Sequence, residues 1–406
     1  MNIQRIVLMV VLCAAFLVQT AQAAGPYSIL ASTESREGNL VRTEYTVKAG
    51  AHPLDRFKMV RVAKDVPASQ LRGAILLLPP LGPTFTFYEQ RDPENARGTS
   101  IAEYFALRGF DVYGYSPRFE GIPAGTCEAG VLDCSIMSTW NLQSMLDDIA
   151  FIRAQIETLH PGAKVVAGGA SLGGMLAFAL ANAAPGDYNG IFPWEGMLAT
   201  PDPVVRTLNQ GYCAALEAQI AAGVLYDGVG PSVFKEVTKN ARLVPSGLTP
   251  IPLFPPTLTN HQVFVLLLSV PSPGPVTMPV PNYIQMNGSL AEDRLFFASE
   301  KRAYENISRF VSYAPIALVR DISCSLAGNE TSYTSNAGNY QGSVLAIGGG
   351  RGFGPYMPGH LALLGSTDQT FLLEPEFGHI DHFMTPQHRD FVEKPIFEWA
   401  VRVFGK

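Results

Sequence analysis

The sequence predicts an α/β fold in which a mostly parallel β-sheet carries helices on both faces. From residue 74 to residue 193, short and largely apolar segments alternate with segments whose apolar residues recur every three or four positions. Buried parallel strands and amphipathic helices have these two patterns. The chain has 406 residues, of which 47% are hydrophobic, so it can bury a core of the size that such a fold requires.

Eight segments have strand patterns and four have helical patterns. The first two strand segments alternate between polar and apolar residues and are separated by Gly50 and Pro53, which predicts an antiparallel opening. The predicted strands are residues 39–48, 57–63, 74–78, 111–115, 164–167, 188–193, 343–347 and 370–373. The predicted helices are residues 100–108, 140–159, 175–184 and 394–404.

The alternation of strands and helices ends at Glu195 and gives way to a long proline-rich segment. Its sequence includes LVPSGLTPIPLFPPTL and VPSPGPVTMPVPNY. Unstructured loops of that length are uncommon in compact domains, so we interpret residues 196–341 as a cap or lid subdomain over the sheet. The sheet itself is then divided between residues 24–195 and residues 342–406.

The N-terminus has the pattern of a secretory signal peptide. Arg5 precedes the apolar run IVLMVVLCAAFLV, and Ala21 and Ala23 form the small-x-small pattern of a cleavage site. We expect residues 1–23 to be removed on export and the mature protein to be secreted or periplasmic, with no stable membrane span. The apolar run is shorter than the about 20 residues that cross a bilayer, and an uncleaved anchor is the alternative.

Four cysteines remain after the signal peptide, an even number that suits an oxidising compartment. Cys127 and Cys134 delimit a short loop that contains Gly130, which favours a disulfide between them and leaves Cys213 to pair with Cys324. Four free buried thiols are the alternative. The sequence has no Cys-x-x-Cys spacing and no accompanying histidine pair, so we expect no metal site.

The charge distribution excludes one class of partner. The formal net charge is −6, and the Lys and Arg residues form no cluster that could follow a phosphate backbone. We therefore expect no nucleic-acid partner.

The strongest chemical signal is a G-x-S-x-G pattern around Ser171. It follows a predicted buried strand and opens a predicted helix, and Gly169 and Gly173 suit a sharp turn that lifts the serine hydroxyl above the sheet edge. The turn also places this hydroxyl at the positive end of a helix dipole. Ser171 is thus predicted to be a nucleophile, and an exposed serine in an ordinary glycine-rich connection is the alternative.

A serine nucleophile needs a general base whose pKa is near neutrality, normally a histidine. His379 follows the predicted strand 370–373 and a turn, at the carboxyl end where such sheets hold ligands. His382 lies three residues later and is the competitor. We favour His379 because it follows the strand turn directly.

Together these segments resemble the α/β-hydrolase superfamily. The similarity lies in ILLLPPLG, ALRGFDVYGYSPR, WNLQSMLDDIAFI, GGASLGG and FGHID, and the last of these is similar to lipases of the acid-lipase type. It covers residues 74–193 and 342–406. The resemblance implies an eight-stranded sheet, a triad of serine, acid and histidine, and an oxyanion hole formed by two backbone N–H groups.

The resemblance also implies which residues form the oxyanion hole. One donor is the N–H of Leu172, the residue after the nucleophile. The other comes from the loop after strand 74–78, where Pro79 and Pro80 have no N–H to offer. Leu81 is therefore the expected second donor, with Gly82 as the alternative.

The triad acid is where the sequence departs from that family. Strand 343–347 is followed by GGGRGFG, without the usual Asp. A histidine base still needs a carboxylate to fix its tautomer, and some superfamily members place it after the preceding strand, where this chain has Glu195. We therefore expect Glu195 to be the acid, with Asp321, Glu374 and Glu376 as alternatives.

The GGGRGFG segment also suggests a nucleotide-binding loop. It matches neither G-x-G-x-x-G in a first βα turn nor G-x-x-x-x-G-K-[ST]. We interpret it as a chance enrichment of glycine close to the active site, and we expect no cofactor.

The predicted function is the cleavage of carboxylic esters by an exported serine hydrolase, of esterase or lipase type, through an acyl-enzyme on Ser171. The Phe, Leu, Val, Met and Pro residues of segment 196–341 suggest an apolar pocket for a small-molecule or lipid-like ester, although they would equally form the core of the cap. Two alternatives are an acyltransferase with the same triad and a binding protein of this fold that has lost catalysis.

Overall fold

The computed structural model describes residues 26–91, 98–269, 294–379 and 381–405. The expected signal peptide, residues 1–23, lies outside these ranges. The strands are β1 Ser28–Glu37, β2 Leu40–Lys48, β3 Arg56–Lys64, β4 Ala74–Leu77, β5 Asp111–Ser116, β6 Val165–Ala170, β7 Gly190–Trp194, β8 Tyr226–Asp227, β9 Ala314–Pro315, β10 Ser343–Gly349 and β11 Gln369–Glu374.

The α-helices follow the same chain order. They are α1 Thr86–Glu89, α2 Ile101–Leu107, α3 Leu142–Leu159, α4 Leu172–Ala183, α5 Pro203–Ala221, α6 Val229–Leu243, α7 Asn260–Ser269, α8 Glu300–Ile307, α9 Ile316–Ala327, α10 Met357–Leu361, α11 Asp381–Met384 and α12 Lys394–Phe404.

A nine-stranded sheet organises the molecule, with the order β1-β2-β3-β5-β4-β6-β7-β10-β11. The pairs β1/β2, β2/β3 and β3/β5 are antiparallel, and every pair from β5 to β11 is parallel. The predicted mostly parallel sheet is therefore confirmed. It has nine strands where eight were expected, because β1 adds an edge strand whose residues are all exposed.

Both faces of the parallel strands are covered. Along β4, alternate residues enter two separate hydrophobic clusters, Leu76 with one face and Ile75 with the other. Helices α3 and α4 supply apolar side chains to the first cluster, and α2 and α12 supply them to the second. The parallel strands have helices on both sides, which explains why the strand sequences are apolar throughout.

Local sequence signals set the ends of these covering helices. Ser100 and Glu103 form a capping box at the start of α2, and Asn141 and Ser144 form one at the start of α3. Helix α12 ends at Phe404 and is capped by Gly405, whose φ of 69° is the left-handed conformation that glycine adopts readily.

The middle segment, residues 196–341, contributes helices α5 to α9 and the small antiparallel pair β8/β9.

Both favoured disulfides are present, Cys127–Cys134 with Cα atoms 5.6 Å apart and Cys213–Cys324 with Cα atoms 4.9 Å apart. The second disulfide joins α5 to α9. In the part of the chain that the structure describes, no helix has the length and apolarity needed to cross a bilayer.

Candidate active site

Ser171 lies alone between β6 and α4 at the carboxyl edge of the sheet. The connection between the predicted strand 164–167 and the predicted helix 175–184 is shorter than expected, because β6 continues to Ala170 and α4 begins at Leu172. Ser171 has a φ of 56°, which is uncommon for a residue with a side chain. Its hydroxyl makes no capping bond to the helix, and the residue is half-buried. The side chain is therefore accessible to a small reactant.

Two glycines allow this sharp turn to pack against the end of β4. A Cβ atom on Gly169 or Gly173 would lie 2.0 Å or 2.1 Å from the carbonyl oxygen of Leu78. The Tyr88 hydroxyl donates to the same oxygen at 2.6 Å and accepts the Ala170 N–H at 2.9 Å. The residues before and after the serine therefore have fixed positions that no larger side chain would permit.

Glu195 follows β7 directly and is fully buried. Its Oε2 lies 2.9 Å from Nδ1 of His379. Because a carboxylate can only accept, the His379 Nδ1–H is the donor, and the Nε2 atom is left as the proton acceptor of the ring. Glu195 has a φ of 49°, and among the described residues only it and Ser171 combine a side chain with a positive φ. Such backbone strain is concentrated at functional sites.

Residues 348–354, the glycine loop, surround the Glu195 carboxylate. The Gly349 N–H donates to Oε1, and the Phe353 N–H donates to Oε2 at 2.8 Å. A Cβ atom on Gly352 would lie 2.2 Å from Oε2. The expected position of this segment close to the site agrees with the structure, but its interpretation as chance enrichment is wrong: the segment brings backbone N–H groups to a buried carboxylate that another strand supplies.

The other carboxylates considered as the acid have different surroundings. Asp321 accepts hydrogen bonds from the Tyr333 hydroxyl at 2.8 Å and from the N–H of Leu142 at 3.2 Å. Glu376 is exposed and forms an ion pair with Arg351 at 3.2 Å. Glu374 is the last residue of β11 and is half-buried.

The two neighbouring histidines occupy different environments. His379 is buried, and the Phe353 ring meets it edge-on at 5.1 Å. His382 is also buried and lies edge-on to Phe377 at 5.0 Å. Neither of its ring nitrogens has a hydrogen-bond partner among the described residues. Burial, and next the proximity of His379, lower the pKa of His382 to about 3.

A narrow cavity brings Ser171 and His379 together. Leu81 lines the same cavity, and the N–H of Leu172 is at the first position of α4, where a helix has no internal acceptor for it. Gly82 has a φ of 105°, and its carbonyl oxygen accepts the Val311 N–H at 2.7 Å. The remaining wall is largely apolar and consists of Pro80, Pro83, Phe87, Ala170, Trp194, Asn306, Ile307, Phe310, Phe383 and Met384.

Comparison with known proteins identifies the fold. No protein-family model matches the sequence, and a search of curated proteins finds no match. Among solved structures, a candidate lipase from Sulfolobus solfataricus superposes with a TM-score of 0.62, covering 92% of this chain and 99% of that chain at 16% identity. The chain has the α/β-hydrolase fold.

Two further solved structures with the α/β-hydrolase fold are similar at lower scores. A malate-bound esterase from Thermogutta terrifontis has a TM-score of 0.48 and 15% identity, covering 89% of this chain and 99% of that chain. A monoglyceride lipase from Saccharomyces cerevisiae has a TM-score of 0.47 and 13% identity, covering 94% and 99%. The superposition on the Sulfolobus solfataricus structure, with its TM-score of 0.62, confirms for the fold the resemblance drawn from the sequence motifs.

Sequence reasoning missed two groups of residues in this α/β-hydrolase fold. The first is the pair of backbone donors at Gly349 and Phe353. The second is Tyr88, whose hydroxyl links the end of β4 to the residue before Ser171. The sequence held one signal for the first group: the segment after strand 343–347, where the resemblance leads one to expect the acid, consists mainly of glycine and has no carboxylate.

Proposed function

We propose that the chain is an exported serine hydrolase that cleaves carboxylic esters through an acyl-enzyme on Ser171. The observation that carries the proposal is the 2.9 Å contact between His379 Nδ1 and the buried carboxylate of Glu195, on the same cavity as Ser171. A hydroxyl, an imidazole and a carboxylate in this relation are the groups that acyl transfer requires. The likeness to a candidate lipase agrees with the proposal at the level of the fold.

Each residue then has one task. The Ser171 Oγ attacks the ester carbonyl carbon while His379 Nε2 takes its proton. Glu195 stabilises the imidazolium, because the hydrogen bond from Nδ1–H strengthens when the ring becomes positive. The N–H groups of Leu81 and Leu172 stabilise the oxyanion, each by on the order of 3 kcal/mol. His379 returns the proton to the leaving alcohol, and water then releases the acyl group by the same steps.

The cavity favours an uncharged, apolar acyl group. Phe87, Trp194 and Phe383 supply aromatic surface beside Ser171, and Met384 adds a flexible apolar side chain. A charged acyl group would lose its hydration against this wall at a large cost in free energy. Export is supported by the two disulfides, which persist in oxidising compartments.

The test is hydrolysis of p-nitrophenyl esters of graded chain length, together with labelling by a fluorophosphonate probe. We expect Ser171→Ala to reduce kcat by about 10⁴-fold or more and to abolish labelling, with an unchanged unfolding transition. Ser138→Ala, an exposed serine, is the matched control and should keep both. Labelling that persists in folded Ser171→Ala would refute the nucleophile, and ester products formed with an added alcohol would indicate transfer instead of hydrolysis.

A further inference from the structure

His360 is a buried histidine to which the proposed reaction gives no task. It lies on α10, which follows the glycine loop, and its side chain is closed to solvent. Its Nδ1 atom accepts the N–H of Leu198 at 2.9 Å and that of Ala199 at 3.3 Å. Both donors belong to residues 196–199, the segment that directly follows Glu195. A buried imidazole therefore holds the chain immediately after the carboxylate of the candidate site.

The two donors fix the protonation of the His360 ring. A backbone N–H can only donate, so Nδ1 has no proton and Nε2 carries one. Nε2 is buried and has no hydrogen-bond partner among the described residues. Burial lowers the pKa of His360 to about 3, so the ring is neutral near pH 7. The ring thus satisfies two backbone donors and leaves one of its own unpaired, which has a cost in free energy.

The same ring packs on the helix that begins beside the nucleophile. It stacks on Phe178 of α4, with ring centroids 3.8 Å apart and ring planes 13° apart. Helix α4 starts at Leu172, one residue after Ser171. His360 therefore connects residues 196–199 to the helix that follows the reactive serine.

Residues 196–199 also lie directly against the turn at Ser171. A Cβ atom on Gly196 would lie 2.4 Å from the carbonyl oxygen of Ser171 and 2.8 Å from the backbone N atom of Met175. The segment is thus held between the serine turn on one side and His360 on the other. A displacement of the segment would move the backbone of Glu195 relative to Ser171.

Helix α10 is also joined to the glycine loop. The N–H of Met357, its first residue, donates to the carbonyl oxygen of Phe353 at 3.2 Å, and the N–H of Phe353 donates to the Glu195 carboxylate. A Cβ atom on Gly359 would lie 2.1 Å from Cδ of Pro201, so α10 packs closely on the chain that leads away from the carboxylate. The helix that carries His360 therefore approaches the surroundings of Glu195 from two sides.

We propose that His360 is a positioning residue of the candidate site: its Nδ1 atom holds residues 196–199 so that the Glu195 carboxylate meets Nδ1 of His379. His360 is not among the described residues that line the cavity at Ser171, so it acts through Glu195 and not on the substrate. This inference rests on the proposed function for its effect on catalysis, and it assigns a role to a residue outside the three reacting side chains.

Two substitutions of His360 separate its hydrogen bonds from its packing. His360→Phe keeps a flat ring against Phe178 and has no acceptor, whereas His360→Asn loses the stacked ring and offers its Oδ1 in place of Nδ1. On p-nitrophenyl acetate we expect His360→Phe to lower kcat by about tenfold or more with KM nearly unchanged, because a misplaced carboxylate impairs the proton transfer and not binding. His360→Asn should restore most of the lost kcat.

Phe178→Leu is the matched control. It removes the stacking partner and leaves the Nδ1 acceptor in place, so it should lower the melting temperature and keep the wild-type kcat. All variants are assayed below their unfolding transitions, which are followed by circular dichroism. If His360→Phe does not fold, His360→Asn and Phe178→Leu decide: wild-type kcat in both supports the proposal, and equal losses in both overturn it.

Proton NMR follows the hydrogen bond between His379 and Glu195 without any ester. The proton on His379 Nδ1, directed at a carboxylate oxygen 2.9 Å away, should resonate well downfield of the backbone amides. Glu195→Gln should displace this signal and thereby assign it. We expect His360→Phe to shift or broaden the signal, and Phe178→Leu to leave it unchanged.

Two results would overturn the positioning role. One is a folded His360→Phe variant with the wild-type kcat and an unchanged downfield resonance. The other is a loss of kcat in Phe178→Leu as large as that in His360→Phe, because His360 would then act by packing alone. A wild type without esterase activity whose resonance still moves in His360→Phe would refute the proposed function and leave the positioning of Glu195 intact.

Discussion

Two connections of the candidate site contain glycines at positions where no side chain would fit: residues 169–173, called here the serine turn, and the glycine loop at the end of β10. They bring different groups into the site. In the serine turn, a Cβ atom on Gly173 would lie 2.1 Å from the carbonyl oxygen of Leu78. The glycines there allow the backbone to turn so that the Ser171 hydroxyl projects from the sheet edge. In the glycine loop, a Cβ atom on Gly352 would lie 2.2 Å from Glu195 Oε2, and the glycines allow backbone N–H groups to approach a carboxylate.

The difference lies in what each connection needs from the rest of the chain. The serine turn carries its own hydroxyl, so its local sequence pattern is sufficient to predict a role for Ser171. The glycine loop carries no reactive side chain and acts on Glu195, which is 154 residues away from Gly349 in sequence. A glycine-rich connection of the second kind can be interpreted only when its distant partner is known.

Replacing Glu195 by glutamine should have the largest effect. Three donors converge on the carboxylate: the N–H groups of Gly349 and Phe353, and the Nδ1–H of His379. A glutamine offers one acceptor oxygen and a competing NH₂ donor, so at least one donor would face another. We expect kcat/KM to fall by about 10³–10⁴-fold, as for other triads whose carboxylate becomes an amide, measured on a soluble p-nitrophenyl ester.

The control for this substitution is Glu376→Gln. Glu376 is exposed and pairs only with Arg351 among the contacts described above, so its replacement should leave kcat/KM unchanged. If folded Glu195→Gln retains activity within tenfold of the wild type, the acid of the site lies elsewhere.

Gly352→Ala should have a smaller effect on activity, because it removes none of the side chains that take part in the proposed reaction. The added methyl would lie 2.2 Å from Glu195 Oε2, so the carboxylate or the glycine loop must shift. A shift of about 1 Å in a positioning group reduces the rate by about 10²-fold at most. We expect kcat to fall by about 10–100-fold with little change in KM, measured by steady-state kinetics.

A second glycine provides the matched control. A Cβ atom on Gly186 would have no other atom within 4 Å, and the φ of this residue is not positive, so Gly186→Ala should have wild-type kinetics. A Gly352→Ala variant with wild-type kcat would show that the glycine loop does not set the position of Glu195. The claim that both connections need glycine to position a group of the site would then be wrong.

The sequence patterns predicted the sheet because its strands are distinctive over a few residues. Residues 74–78 are apolar throughout because β4 is covered on both faces. In residues 140–159, apolar side chains recur every three or four positions because α3 is covered on one face only. Strand β1 was missed because it is exposed throughout and has no such pattern.

The helices of the middle segment were also missed. Pro203 there reads as a helix breaker, but it is the first residue of α5, where a missing N–H costs nothing.

The candidate site was predictable to the extent that its residues lie at strand ends. Ser171, Glu195 and His379 each follow a strand of the parallel sheet directly or after a short turn, and parallel strands bring these ends to one edge. The hydrogen bonds from Gly349 and Phe353 to Glu195 could not be predicted. They depend on the pairing of β7 with β10, which joins residues far apart in the sequence.

The smallest expected effect concerns His382, a second buried histidine, whose ring makes no hydrogen bond to the Glu195 carboxylate. Burial lowers its folded-state pKa to about 3, below the unfolded value of about 6.5. As the pH falls, His382 of the unfolded chain is protonated before His382 of the folded protein. The free energy of unfolding that the neutral, buried ring contributes is therefore fully present above about pH 6.5. It is lost as the pH falls from about 6.5 towards 3, by about 1.4 kcal/mol per pH unit. His382→Leu removes the titration, so the free energy of unfolding, measured in urea from pH 7 to pH 4, should fall less steeply than in the wild type by that amount. An unchanged slope in His382→Leu would mean that the buried imidazole accepts a proton in the folded protein.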